Sequence, residues 1–244
     1  MLLPLYFANW IGEWIAYFLG KWSIFEVLEY LGSFSILLAV IFYFADSGNR
    51  LKQKHYQAWQ VINTAQGKGG SGGRIEALHD LNEDHVPLVG VDVSDAYLQD
   101  LKLIGADLRR SDLRGTDLRR ATFRRSNLEA ANLRSANLRN VDFSFCNLDD
   151  ANLLDADCFE ARFNHANLQG INFERADLRK SNLSEVQNWK TIQSIRLANI
   201  HGVQSAPADF LKWALENGAV DIADDAAWER QLEPRSTTQP AASR

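Results

Sequence analysis

The sequence predicts a β-solenoid with a transmembrane helix on its N-terminal side and short helical caps at both ends. Three observations carry this. An uncharged residue, apolar throughout, recurs at every fifth position from Val93 to Leu183. The run from Tyr30 to Ala45 holds no charge. Segments with helical spacing, bounded by Gly or Pro, flank the repeats on both sides.

The chain has 244 residues, 46% of them hydrophobic, with a formal charge of -5, which leaves room for one sizeable domain plus appendages. Aromatic and aliphatic residues crowd into the first 45 positions, arginine and aspartate into the middle, and Ser, Thr, Gln and Pro into the last dozen. Three environments are implied. Two cysteines are too few for a disulfide-stapled scaffold, and a reducing compartment fits them. The start lacks a cationic region and a small-x-small cleavage site, which points away from a removable signal peptide.

From Val27 to Ala45, with only Glu29 interrupting, a helix would be about 28 Å long, close to the thickness of a hydrocarbon core. Glu29 lies near one end, and Tyr30 and Tyr43 fall where interfacial aromatics sit. Residues 2–20 carry Trp10, Trp14 and Tyr17 but are interrupted by Pro4, Asn9 and Glu13. They read either as an interfacial helix or as the first leg of a helical hairpin. Arg50, Lys52 and Lys54 follow the spanning segment, against Lys21 before it, so the positive-inside bias puts the repeats in the cytoplasm, tethered to the inner membrane. Residues 1–46 are thus the membrane segment.

In the middle region each apolar centre is preceded, two residues earlier, by a second uncharged and mostly small residue such as Ala96, Ala106, Ser111 or Ala176. Between them stands mainly Asp or Asn, from Asp107 to Asn182, and the last two positions of each five are free and hold most of the arginines. One large and one small inward side chain per five residues fill a narrow interior without voids. Asp and Asn suit the tight turn because their short side chains bond nearby backbone groups.

This A(D/N)LXX pattern over residues 88–187 resembles the pentapeptide-repeat family, in a membrane-anchored bacterial form. The resemblance implies a right-handed quadrilateral solenoid in which four repeats make one turn, so a coil holds twenty residues and the region makes about five coils. Coils spaced about 4.8 Å apart give a rod roughly 24 Å long. Phe123, Phe143 and Phe163, twenty apart, are then expected to stack. Cys146 and Cys158 fall on opposite sides of the square, as small hydrophobes of the core with no disulfide between them.

Counting in twenties also places the charges. Arg114 lies under Arg134 and Arg119 under Arg139, like-charge ladders costing about 1 kcal/mol per pair in high dielectric. Arg110, Arg114, Arg119, Arg120, Arg124, Arg125, Arg134 and Arg139 form the candidate basic binding surface, facing solvent, a protein partner or an anionic leaflet. The later coils, with Asp149, Asp150, Asp155, Glu160 and Glu174, are acidic.

Around the rod, residues 47–87 read as a juxtamembrane helix with Leu51, His55, Ala58, Trp59 and Ile62 on one face, a linker at Gly67 to Gly73 that lacks the context of a phosphate loop, and an N-terminal capping helix. In that cap His79 lies beside Glu83, whereas Asp80, Asp84 and His85 aim elsewhere, so a polar surface and no metal site is expected. Residues 188–232 read as a C-terminal cap, with a helix starting near Pro207, presenting Phe210, Leu211, Ala214 and Leu215 on one face and stopping at Gly218. Trp189, Trp213 and Trp228 are its expected packing residues, and residues 233–244 read as a disordered tail.

No nucleophile elbow, metal spacing or distinguished carboxylate pair is present, so neither enzymatic activity nor a cofactor is expected. The leading expectation is a membrane-tethered scaffold for a protein partner or anionic lipid headgroups, without direct nucleic-acid binding and with homo-oligomerisation left open. The resemblance implies a second reading, since quinolone-resistance and topoisomerase-protecting members mimic DNA with an acidic rod. The basic early coils and the anchor depart from it. A third reading, an accessory subunit of a channel or transporter, rests on Glu13, Glu26 and Glu29.

Overall fold

The structure, a computed structural model, describes residues 3–21, 24–64 and 71–233 and divides into two compact units, residues 1–54 and 55–244. The linker positions 67–70 and the tail from 234 onward lie outside the described residues.

In the first unit, α1 (Leu3–Lys21) is followed by α2 (Ile24–Thr64), whose last turns belong to the second unit. The side chains of residues 21–29, Lys21, Glu26 and Glu29 among them, are outside the described ones. Among the described residues no single helix is long and apolar enough to cross a membrane, so the spanning helix expected over 27–45 is not shown as such. Segments 30–43 and 48–64 meet the requirement only together, bent by 40°. Part of the stretch 27–45 of α2, on which that expectation rests, has side chains outside the described ones. Its apolar side chains stand in the open: Tyr30, Phe34, Ile36 and Phe42 on α2, like Trp10 and Trp14 on α1, are all exposed.

The second unit is built on the period of five. Each repeat puts its small residue and its apolar centre inside, as with Ala121 and Phe123 or Ala136 and Leu138. The residue between them faces out and bridges the equivalent residue one coil away, giving four columns of parallel bridges, such as Asp92, Asp112, Asn132 and Asn152. No continuous strand forms among the described residues, because each side of the coil has room for one bridged residue before the chain turns. The ladder is nonetheless dense. Asp112 donates its N–H to the Val91 carbonyl and its own carbonyl accepts from Val93, and the corner residue Asp95 donates to Arg114.

The corner follows from local chemistry. The N–H of Ala96 closes a turn onto the Val93 carbonyl, and the third residue of that turn, Asp95, sits at φ 55. That left-handed conformation repeats at the last position of the repeats, where Gly, Asp and Asn are the cheapest occupants. The Asp or Asn side chain then accepts the N–H two residues on, as Asp92 does from Ser94 and Asn127 from Glu129. Inside, Phe123 stacks on Phe143 at 5.5 Å and Phe143 on Phe163 at 5.4 Å, both nearly parallel, the arrangement that twenty-residue coils require.

Bridging does not stop at residue 187. The 3-10 turn Trp189–Thr191 inserts two residues, the pairing changes from twenty to twenty-two at Asn172 with Ser194, and the ladder continues through Asn182 with Gln204 to Asn199 with Val220. Much of the stretch read as a helical cap is therefore further solenoid. The motif resumes out of step as Ala198, Asn199 and Ile200, all buried.

Two helices lie at the N-terminal end of the rod. From α2, Ala58 and Ile62 join the core while Leu51, which belongs to the first unit, is exposed, and α3 (Arg74–Glu83) buries Arg74, Ala77, Leu78 and Leu81. They cover apolar surface that an open coil would leave in water. After the rod, α4 (Phe210–Glu216) buries Phe210 and Ala214, but Leu211 and Leu215 point outward, so the face differs from the one expected. Trp189 and Trp213 pack around Phe210. Trp228 belongs instead to α5 (Asp225–Leu232), where it is buried and its Nε1 donates to the Leu197 carbonyl.

Candidate functional site

The outward positions fall into straight rows. Residues 106–139 contain nine arginines and four acidic residues, whereas residues 140–187 contain four basic and nine acidic ones, so the charge gradient along the rod stands. The eight arginines singled out in sequence do not share a face. By the columns of bridges, Arg114 and Arg134 lie on one side, Arg119, Arg120 and Arg139 on the next, Arg124 and Arg125 on the third, and Arg110 on the fourth.

Several are also neutralised. In each Asp-Leu-Arg repeat the arginine folds back on the aspartate two residues earlier: Arg109 on Asp107 at 2.7 Å, Arg114 on Asp112 at 2.6 Å and Arg119 on Asp117 at 2.7 Å. Arg120 reaches down one coil to Asp100 at 2.7 Å, and Arg139 pairs with Asp157 at 3.0 Å. Arg134 stands 4.0 Å from Asp155 and Arg124 3.9 Å from Asp142. The hydrogen bond from Arg119 holds the Asp117 carboxyl below the usual carboxylate range, helped by Gln99. Arg109 does the same to Asp107 and Arg120 to Asp100. Like-charge ladders are thereby converted into rows of ion pairs, at Arg114 and Arg119 through an Asp two residues earlier, a spacing visible in the sequence that a count of arginines alone passes over, and at Arg134 and Arg139 through aspartates of the next coil.

A row that sequence reading missed climbs the second side. Arg139 lies 4.4 Å and Arg179 5.7 Å from the Phe159 ring, and Arg179 lies 5.4 Å from Trp228. Arg179 is almost buried, clamped between Asp177 at 2.6 Å and Asp225 of α5, and its hydrogen bond to Asp177 pushes its pKa further up. Between this side and α5 runs a cleft of about 320 Å³, lined among others by Arg139, Arg175, Asp157, Asp177 and Glu229. Its charges are largely consumed within the fold. On the fourth side, Asn127, Asn147, Asn167 and Asn188 form an amide ladder, each donating to the one before at 3.1, 2.9 and 2.8 Å.

At the N-terminal cap, Asp80 comes closer than helical spacing suggested: one ligand atom each from His79, Asp80 and Glu83 lie within 4.8 Å of one another. All three are exposed or half-buried, and His79 already faces Glu83 at 3.7 Å. Burial pushes the Cys146 thiol up to about 12 and raises that of Cys158 as well, so both stay protonated inside the rod.

Pentapeptide repeats, eight copies by family comparison, match residues 92–129, 126–157 and 156–187. Among solved structures, the chain is similar to a pentapeptide repeat protein of the Arabidopsis thaliana thylakoid lumen, 28% identical over 41% of this chain and 66% of that one, with a TM-score of 0.28. It is similar to HetL of Nostoc sp. strain PCC 7120, a protein involved in heterocyst differentiation regulation, 28% identical over 50% and 65%, with a TM-score of 0.29. It is also similar to QnrB1, a plasmid-mediated fluoroquinolone resistance protein, 17% identical over 60% and 84%, with a TM-score of 0.32. The matches span just under two thirds of the first two proteins. Among curated proteins nothing matches. With its period of five, its four columns of bridges and its matched repeats, this chain carries pentapeptide repeats over residues 92–187.

Proposed function

We propose that the protein is a non-catalytic scaffold, tethered to the inner membrane through residues 1–46, whose rod in the cytoplasm presents ordered rows of side chains to a protein partner. The observation that carries the reading is the column of bridges at fixed spacing, which holds outward residues in straight rows on flat sides at a low entropic cost of ordering on binding. The tether is supported by the exposed aromatic and aliphatic side chains of α1 and α2 and by the charged stretch after them.

A protein partner is favoured over a lipid surface for the rod itself. Arginines spread over four sides and paired with aspartates attract an anionic plane weakly, because a plane meets one side at a time and each pair is nearly neutral. The same pairing weakens the DNA-mimic reading, which needs acidic rows without their own counter-ions.

Fractionation tests the proposal. The full chain should stay with membranes after high-salt and carbonate washes, and removal of residues 1–46 should release a folded rod. A truncated rod that still sediments with protein-free liposomes would overturn the division of labour.

A further inference from the structure

We propose that the corner ridge centred on Phe145 is the docking surface of the rod, and that it takes an acidic protein segment carrying an apolar side chain. The inference rests on the scaffold reading and narrows it.

Arg125, Phe145, His165 and Glu185 occupy the same corner in four successive coils, all with positive φ. At Phe145 φ is 62, a conformation that costs a bulky side chain roughly 1–2 kcal/mol, which Gly would avoid. The ring gains only partial burial in return, being 47% exposed. The other large apolar residue held this way, Leu197 at φ 59, is half-buried, and Trp228 bonds its carbonyl. Phe145 is thus a strained, half-open aromatic among polar neighbours at its corner, the pattern expected where a partner supplies the missing cover.

The surroundings define the partner. His165 stacks on one face of the ring at 4.5 Å, and Arg125 lies 5.9 Å from the ring. Stacked below His165, the ring offers chiefly its rim, which suits packing against an aliphatic or aromatic side chain and not stacking under a nucleobase. Arg124 and Arg162 share Asp142 at 3.9 Å each, and His165 faces Glu185 at 3.3 Å. With Arg125 added, three guanidiniums, of Arg124, Arg125 and Arg162, stand on this corner and the side before it against the carboxylates of Asp142 and Glu185, so an acidic segment is complementary there. On the adjoining side the amides of Asn147 and Asn167 form a polar rim.

The test pans a displayed library of random dodecapeptides against the purified full chain, with a single-stranded oligonucleotide as competitor. Enriched peptides should combine acidic with apolar residues, and their affinity should fall about tenfold or more in Phe145→Gly and in Arg125→Ser. Phe145→Gly relieves the backbone while losing one stacked pair, so its thermal midpoint should stay close to the parent's, separating lost binding from lost folding. Peptides that bind Phe145→Gly as tightly as the parent would overturn the ridge and leave the scaffold standing. Competition by the oligonucleotide at equal affinity would overturn the choice of partner. Failure to enrich any peptide would overturn both readings.

Discussion

Replacing Phe143 by Leu removes one ring from the middle of a three-ring stack and keeps an apolar residue of the kind that fills most of the other centres. Phe143 is fully buried and touches two rings, at 5.5 and 5.4 Å, whereas Phe123 stacks on one. Each stacked pair is worth about 0.5–1.5 kcal/mol beyond its area, so Phe143→Leu should cost about 1–3 kcal/mol plus a small cavity contribution, and Phe123→Leu roughly half of that. The assay is urea unfolding of the detergent-solubilised chain followed by circular dichroism, as a double-mutant cycle. Phe123 and Phe143 should couple by about 0.5–1.5 kcal/mol, whereas Phe123 and Phe163, two coils apart, should add independently to within about 0.5 kcal/mol. Equal coupling in both cycles would refute the reasoning, because it would mean that the energy lies in global packing and not in contact between successive coils.

Other outcomes follow from the same geometry. Arg179→Ala strands Asp177 and releases Asp225, and α5 with it, from the rod, and should cost about 3 kcal/mol, read by denaturant titration, with the indole of Trp228 becoming accessible to quencher. The depressed pKa of Asp117 means its contribution is complete above the unfolded value near about 4 and is lost as pH falls through the lower folded value. Arg119→Gln should therefore raise the pH at which the chain unfolds in acid. Gly170→Ala should destabilise more than Gly105→Ala: both sit at positive φ, but a methyl at 170 collides with the Asp150 carboxylate and one at 105 meets open space. The excess, measured by thermal unfolding, should largely vanish in the double variant with Asp150→Ala. Cys146 and Cys158 should resist a thiol reagent at pH 8 until the rod is unfolded, since burial keeps both protonated.

The register of the rod was legible because a coil of this kind repeats its environment every five residues. Every inward position is under the same constraint, and nineteen instances expose it. The ring stack followed by counting. The end of the ladder did not, since a two-residue insertion at Trp189–Thr191 breaks the count while leaving the backbone bonds intact, and the motif resumes only briefly at Ala198 to Ile200. The pairing of the basic residues was not read for a related reason: a residue count sees charge but not partners, and Arg114 or Arg119 spends its charge on the aspartate two residues before it.

By itself the sequence determined what is periodic: which side chains point inward, where each corner falls, and that residues twenty apart are neighbours, because repetition turns a local steric rule into a global one. Only the tertiary structure decided what is not periodic. That Arg179 is clamped by a helix 46 residues away, that α5 shields Leu197 and that Phe145 stands uncovered depend on where non-repeating segments come to rest on the rod. Those positions arise from contacts between residues whose separation in the chain carries no signal.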